Sequence, residues 1–260
     1  MRSNRPTKLS APFLRCISWA DPKAQRPRDY PFSLPFLRDP DFELDFTTPV
    51  TIIVGENGAG KSTLIEAIAA LAGHDEAGGG IGYRPVSHEG ALDVSGAAIG
   101  EHLRASWLPK VVHGWFFKAE TFWAVARYLD AAGPGGPDFL SHSHGEGFLR
   151  IFRERFDRQG LYLLDEPESA LSPDSQLELL SLLDQVQHNA SAQVIMATHS
   201  PLLMAVPGAR LLSMTRDGLR ETTLEATRHF RMMRDFFRDP SEFVAVELRR
   251  RRSPDSAEEN

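Results

Sequence analysis

The stretch Val50-Thr51-Ile52-Ile53-Val54-Gly55-Glu56-Asn57-Gly58-Ala59-Gly60-Lys61-Ser62-Thr63 decides the fold. Its opening run is apolar and β-branched without alternation, which suits a strand buried on both faces. Beyond it, Leu64, Ile68 and Leu71 recur at helical spacing. Between strand and helix lies G-x-x-x-x-G-K-S. Glycines at those places let consecutive backbone N–H groups curl inward around phosphate oxygens, and the N-terminus of the following helix adds its partial positive charge. Gly55, Glu56, Asn57, Gly58, Ala59, Gly60, Lys61, Ser62 and Thr63 are therefore the expected phosphate cradle. Lys61 would reach the β- and γ-phosphates, and the Ser62 hydroxyl would coordinate Mg²⁺.

A second apolar strand, Leu161-Tyr162-Leu163-Leu164, ends in Asp165-Glu166-Pro167. Two acids at the end of a strand beside a phosphate loop have a clear division of labour. Asp165 can hold the Mg²⁺ shell, and Glu166 can take a proton from a water attacking the γ-phosphate, or orient that water. Ser169-Ala170-Leu171-Ser172 then leads into a helix with Ser172 as N-cap, Pro173 in its first turn and Leu177, Leu180 and Leu183 along one side. The next strand, Val194-Ile195-Met196-Ala197-Thr198, ends on His199. A polar residue at the carboxyl end of a parallel strand points into the ligand crevice, so His199 is a third candidate for contact with the γ-phosphate or the water. Residues 211–214 and 219–223 form a hairpin around Asp217-Gly218, followed by a helical segment and a charged tail.

Ahead of the phosphate loop, residues 13–19 and 42–46 alternate apolar and polar side chains as half-buried strands do. Pro22, Pro27, Pro31, Pro35 and Pro40 impose an extended connection between them. Gly73 is the expected stop of the helix after the loop, and residues 73–100 read as a flexible glycine-rich loop. Residues 101–131 read as helical, with Trp115, Phe116, Ala119, Phe122, Trp123 and Ala126 as an apolar stripe. The run Ser143-His144-Gly145-Glu146 opens another helix, whose apolar face is Phe148, Leu149, Phe152 and Phe156. A hydroxyl and bare backbone N–H groups at such a start suit an anion.

The chain has 260 residues, a net charge of −6 and one cysteine, Cys16. That charge argues against a protein-wide nucleic-acid footprint, although Arg249 to Arg252 and the basic N-terminal segment leave room for a local patch. One cysteine excludes an intrachain disulfide framework, and Cys16 is expected as a small buried residue in a reducing compartment. No apolar run approaches the ~20 residues of a membrane span, so the expected location is cytoplasmic, without membrane insertion. His142, His144 and His199 lack the cysteine or carboxylate that would complete a zinc set.

With these pieces placed, residues 42–215 resemble the ATP-binding-cassette (ABC) ATPases. Residues 55–63 look like Walker A, Asp165-Glu166 like Walker B with its catalytic glutamate, Ser169 to Ser172 like the D-loop, and His199 like the switch histidine. Ser143, 22 residues before Asp165 (165 − 143), matches the signature serine, with His144 in place of the usual first glycine. The resemblance implies an α/β fold: a mostly parallel central sheet with helices on both faces, an antiparallel β subdomain at the N-terminal side and a helical subdomain carrying the signature. On that pattern residues 1–260 form one domain. Residues 11–72 and 158–225 are the nucleotide-binding core, residues 101–157 the helical part, and residues 226–260 a C-terminal helix and tail. The resemblance also implies ATP and Mg²⁺ as cofactors and a head-to-tail homodimer. In that dimer Ser143, Gly145 and Glu146 of one copy complete the ATP site of the other. Glu120 stands where the family places its Q-loop glutamine, a metal-side position. Trp19, Tyr30, Phe32 and Phe36 all carry rings able to stack on adenine, and the sequence does not choose among them.

The Ser-His-Gly-Glu wording and Gly-x-Asn-Gly-x-Gly-Lys-Ser-Thr are more similar to genome-maintenance heads of the SMC and RecF types than to transporter subunits. The interval between Lys61 and Ser143 lacks the long coiled coil of the arm-bearing members. The expectation is a compact, stand-alone ATPase working on DNA or an effector protein. The alternatives are the motor subunit of a membrane transporter and a nucleotide sensor with little turnover.

Overall fold

The computed structural model describes residues 9–75, 78–81, 95–119, 121–122, 144–156 and 158–252. The chain divides into two compact units, Met1–Glu221 and Thr222–Asn260. In the first unit the order is β1 (Leu14–Trp19), β2 (Glu43–Asp45), β3 (Val50–Gly55), α1 (Lys61–Ala72), β4 (Gly79–Gly80), α2 (Ser95–Gly100), β5 (Leu103–Trp107) and β6 (Gly114–Lys118). There follow α3 (His144–Arg155), β7 (Leu161–Asp165), α4 (Pro173–Asn189), β8 (Gln193–Ala197), α5 (Pro201–Met204), β9 (Arg210–Thr215) and β10 (Gly218–Glu221).

Among the described residues, seven strands form the central sheet in the order β10-β9-β3-β8-β7-β6-β4. The four inner pairings, from β9 to β6, are parallel, and only the edge strands β10 and β4 run antiparallel. Every residue of β3, β7 and β8 is buried, as expected where helices cover both faces of a parallel sheet. Helix α1 packs on β3, β7 and β8, and α4 packs on β3 and β8. A smaller antiparallel sheet, β2-β1-β5, lies on the N-terminal side. Gln193 joins the two sheets. Its Oε1 accepts from the backbone N–H groups of Phe13 (2.8 Å) and Leu14 (2.7 Å), and its Nε2 donates to the Leu14 carbonyl at 3.0 Å.

Local signals place the ends of the main helices. Gly73 closes α1 with φ +89°, and the N–H groups of Gly73 and His74 return to the carbonyls of Ala70 and Ala69, a Schellman arrangement that only glycine enters without strain. Ser172 caps α4 by accepting from the Ser175 N–H at 3.2 Å, with Pro173 behind it.

Two expectations give way. Residues 103–107 and 114–118 are strands, not helix, and β6 belongs to the central sheet. Trp115, Phe116 and Phe117 are all buried because both faces of β6 are covered. A doubly buried strand has no period of two, and the spacing to Phe122 imitated a helical stripe. Trp123 and Ala126, the rest of that stripe, lie outside the described residues. The glycine-rich segment also contains α2. Its glycines are contact points with α1: a Cβ on Gly96 would sit 2.2 Å from the Glu66 Cβ, and one on Gly100 3.2 Å from the Ala70 Cβ. The proline-rich connection is interrupted by a 3₁₀ turn at Pro35–Leu37. Cys16 is half-buried on the outer side of β1, opposite Asp45, and burial together with Glu43 and Asp45 pushes its thiol up to about 11.

The second unit contains α6 (Arg228–Arg238) and α7 (Pro240–Arg252), with Thr227 capping α6 through the Phe230 N–H.

His74 is the buried group that responds to acid. Burial pulls its imidazole down to about 4, against the opposing effect of its bond with the Gly79 carbonyl (3.1 Å). The unfolded chain takes up this proton near pH 6.5 and the fold resists it to about 4, so stability is full above 6.5 and is lost as pH falls through that window. The loss amounts to about 3 kcal/mol at its lower end. Comparing melting temperatures of the wild type and His74→Gln from pH 7 to 4 should show the wild type losing ground to the variant; parallel curves would contradict the assignment.

Candidate active site

The parallel register fixes the site before any side chain is considered. Ile53 of β3 and Asp165 of β7 both pair with Ala197 of β8, so three strands end at one level. From that edge emerge the phosphate loop, the acid pair and the histidine. Gly58 and Gly60 have φ of +75° and +99°, and a Cβ on Gly60 would come within 2.9 Å of the Leu34 Cδ2. The loop is thus held in a form that excludes a side chain at Gly60, and its backbone N–H groups are the available donors. Helix α1 begins directly after it at Lys61.

Lys61, buried to 4 % exposure, places Nζ 2.8 Å from His199 Nε2, 3.3 Å from the Glu56 carbonyl and 3.9 Å from Glu166 Oε1. Glu166 Oε1 is 3.2 Å from His199 Nε2. An ammonium has only donors, so His199 Nε2 accepts from Lys61 and the ring proton resides on Nδ1. Burial draws the Lys61 ammonium below its ordinary value, while the Glu166 and Asp165 carboxylates oppose that shift. Ser62 Oγ donates to Asp165 Oδ1 at 3.1 Å. Asp165 is 5 % exposed, and its carboxyl is pushed up to about 7, first by burial. Glu166 and Glu66 add to that rise, and the Ser62 hydrogen bond and Lys118 oppose it. A desolvated carboxylate beside a hydroxyl is a hard-oxygen set suited to Mg²⁺. Glu166 itself is left-handed (φ 47°, ψ 54°), a conformation that costs a non-glycine residue of order 1 kcal/mol or more and that collects at functional sites.

Asp165, Glu166, Lys61, Ser62 and His199 are therefore brought together. Glu120 and Ser143 lie outside the described residues, while Gly145 and Glu146 fall in the first turn of α3. Among the four aromatics, Trp19 and Phe36 are in the core. Tyr30 is 56 % exposed, and its hydroxyl is 3.4 Å from Thr63 Oγ1. It lines a cavity of about 300 Å³ with Leu34, Asn57, Gly58, Gly60, Lys61, Ser62, Thr63 and Glu166. Three further residues had no sequence signal. Glu168 binds the segment that carries His199. Lys118, whose Cα pairs with that of Asp165 at the end of β6, forms a buried ion pair with Glu66 at 2.7 Å.

A family described as "AAA domain" matches residues 34–97, and one described as "AAA domain, putative AbiEii toxin, Type IV TA system" matches residues 126–205. These two spans contain the phosphate loop, Walker B and His199. Both matches support an ABC-type P-loop ATPase, as the resemblance of the motifs implies. Among curated relatives, the zinc import ATP-binding protein ZnuC 1 of Aliivibrio fischeri is 28 % identical over 161 residues, covering 58 % of each chain. The aliphatic sulfonates import ATP-binding protein SsuB 1 of Pseudomonas aeruginosa is 29 % identical over 163 residues, covering 58 % of this chain and 64 % of its own. The chain thus spans about three fifths of the length of the curated relatives it matches. CbiO1 of Clostridium perfringens, part of the ABC transporter complex CbiONQ, superposes with a TM-score of 0.41 at 16 % identity, over 80 % of this chain and 91 % of its own. Among the described residues, no helix is long and apolar enough to cross a membrane.

Removing one partner of the Lys118–Glu66 pair should cost more than removing both. Lys118→Met leaves a buried carboxylate beside Asp165 and is expected to lower stability by about 3–5 kcal/mol, most of it recovered in Lys118→Met/Glu66→Leu. Urea unfolding measures both, and a double variant no better than the single would refute the pairing.

Proposed function

We propose that this chain binds ATP with Mg²⁺ at loop 55–63 and hydrolyses it to ADP and phosphate. The observation that carries this reading is the convergence of Lys61, Ser62, Asp165, Glu166 and His199 at one sheet edge, with Ser62 Oγ 3.1 Å from Asp165 and Glu166 3.2 Å from His199. Backbone N–H groups of the loop and Lys61 hold the β- and γ-phosphates and offset charge there. Ser62 and Asp165 would hold Mg²⁺, which neutralises phosphate charge when bound. Glu166 accepts the proton of the attacking water as the new O–P bond forms and the bond to the leaving ADP oxygen breaks. His199, whose Nε2 lies 3.2 Å from Glu166 Oε1, orients Glu166 and the γ-phosphate. Tyr30 is the exposed ring placed to stack on the base.

The head-to-tail homodimer, with Ser143, Gly145 and Glu146 of one copy completing the other's site, is supported by the resemblance of residues 143–146 to a signature. For the task performed, the signature and loop wording support work on DNA or an effector protein. A transporter reading is favoured by a different observation, the import ATP-binding proteins among the relatives. Stimulation of phosphate release by duplex DNA supports the first reading; an integral membrane protein retained with the chain through detergent extraction supports the second.

The hydrolytic model has a direct test. Glu166→Gln should bind ATP, lose nearly all turnover and accumulate as a dimer in light scattering, whereas Lys61→Ala should bind ATP poorly and remain monomeric. A Glu166→Gln chain that stays monomeric in saturating ATP would overturn the shared site.

A further inference from the structure

His199 stands just beyond the end of β8, where the sheet ladder no longer fixes the chain. Its ring must nevertheless meet Lys61 at 2.8 Å and Glu166 at 3.2 Å. Its backbone is held by Glu168, among others, from the 3₁₀ turn Pro167–Ala170 that follows the acid pair. Glu168 Oε1 accepts from the His199 backbone N–H at 2.5 Å, and Oε2 accepts from Thr198 Oγ1 at 2.8 Å. Thr198 Oγ1 in turn accepts from the Ser200 N–H at 3.0 Å, so its hydroxyl hydrogen is committed to Glu168. The far side is tied as well: Ser200 Oγ donates to Gln176 Oε1 at 2.6 Å, and Gln176 Nε2 donates to the Leu171 carbonyl at 3.2 Å. Residues 198–200 are thus gripped from both ends of the loop that begins at Glu166.

We infer that Glu168 is a positioning residue for hydrolysis, setting the place of His199 against Glu166 and Lys61 rather than touching nucleotide itself. The inference rests on the hydrolytic reading above. Two donors must be accepted at once by one side chain, which requires two acceptor atoms at glutamate length; aspartate is one methylene short. Both bonds are charge-assisted, hence short and directional. Displacement of His199 by an ångström changes transition-state contacts while leaving the phosphate loop, which holds ATP in the ground state, untouched.

The distinguishing variant is Glu168→Gln. Its Oε1 can still accept from the His199 N–H, and its Nε2 can donate to the Thr198 lone pair that the Ser200 N–H leaves open, so both residues stay gripped although the Thr198 hydrogen loses its acceptor. A positioning role therefore predicts that Glu168→Gln keeps kcat within about fivefold, while Glu168→Ala and Glu168→Asp lose roughly 10- to 100-fold in kcat with KM for ATP nearly constant. Steady-state phosphate release by the full chain reads these values. Amide hydrogen exchange at His199 is the second readout, expected to quicken at least tenfold in Glu168→Ala and to stay near wild type in Glu168→Gln. If Glu168→Gln falls as far as Glu168→Ala, the carboxylate acts through its charge and the positioning role is overturned. Wild-type turnover with an unaffected Glu168→Ala overturns it too, while leaving hydrolysis standing. A wild type that releases no phosphate, with exchange responding as expected, removes the hydrolytic reading and leaves the grip on His199 intact.

Discussion

The register of three parallel strands is the constraint on which the rest depends. Because Ile53 and Asp165 share Ala197 as their pairing level, a glycine-rich loop, a pair of acids and a histidine leave the sheet side by side. A slip of one residue in either pairing would turn every side chain of the slipped strand to the opposite face. The apolar content of β3, β7 and β8 opposes such a slip only weakly, since a strand buried on both faces is apolar on both. Polar anchors supply what hydrophobic patterning cannot: Gln193 fixes β8 against the start of β1, and the Val50 N–H donates to Gln187 Oε1 at 3.0 Å while Gln187 Nε2 donates to the Gly208 carbonyl.

Having placed the loops, the fold must tolerate the charges they carry. Lys61, Glu66 and Asp165 are all buried, and Lys118 nearly so. Burial works against the ionised form of each, as the depressed Lys61 and the elevated Asp165 show. The arrangement remains bearable because each group has a partner: Lys61 lies beside Glu166, Lys118 pairs with Glu66, and the neutral Ser62 hydroxyl donates to Asp165. The carboxylates outweigh the ammonium groups in this cluster. A divalent cation and a polyphosphate would bring both signs to it at once, which gives a physical reason for such a site to bind the two together.

What the sequence reveals about this molecule follows the range of the forces involved. The phosphate loop, Asp165-Glu166, the Ser172 cap and the Gly73 stop are legible because each is a local backbone requirement that few residue types meet. Residues 114–118 are not, since burial on both faces erases the period that separates strand from helix. Helix α2 was hidden for the opposite reason: Gly96 and Gly100 look like loop residues but serve as close contacts with Glu66 and Ala70. The Gln193 bridge, the Lys118–Glu66 pair and the Glu168 grip join residues 180, 52 and 31 positions apart, and no local pattern announces a pairing of that range. Tyr30 could be ranked above Trp19 and Phe36 only once exposure was known.

The two readings of the task differ because chemistry and partner choice reside in different parts of a P-loop protein. Phosphoryl transfer is positioning and charge neutralisation, and the residues proposed for it sit together at the ends of parallel strands. Similarity to import proteins at 28–29 % identity is therefore compatible with either reading. Partner choice has no such demand to meet; it depends on surfaces outside the nucleotide site, where composition is free to change while the sheet edge stays fixed. A shared sheet edge thus weighs for ATP chemistry and leaves both readings of the task open. The Glu168 grip shows how far that separation goes. It is made from the loop after the acids and the segment after β8, both at the sheet edge, and so it bears on the proposed chemistry and not on the choice of partner.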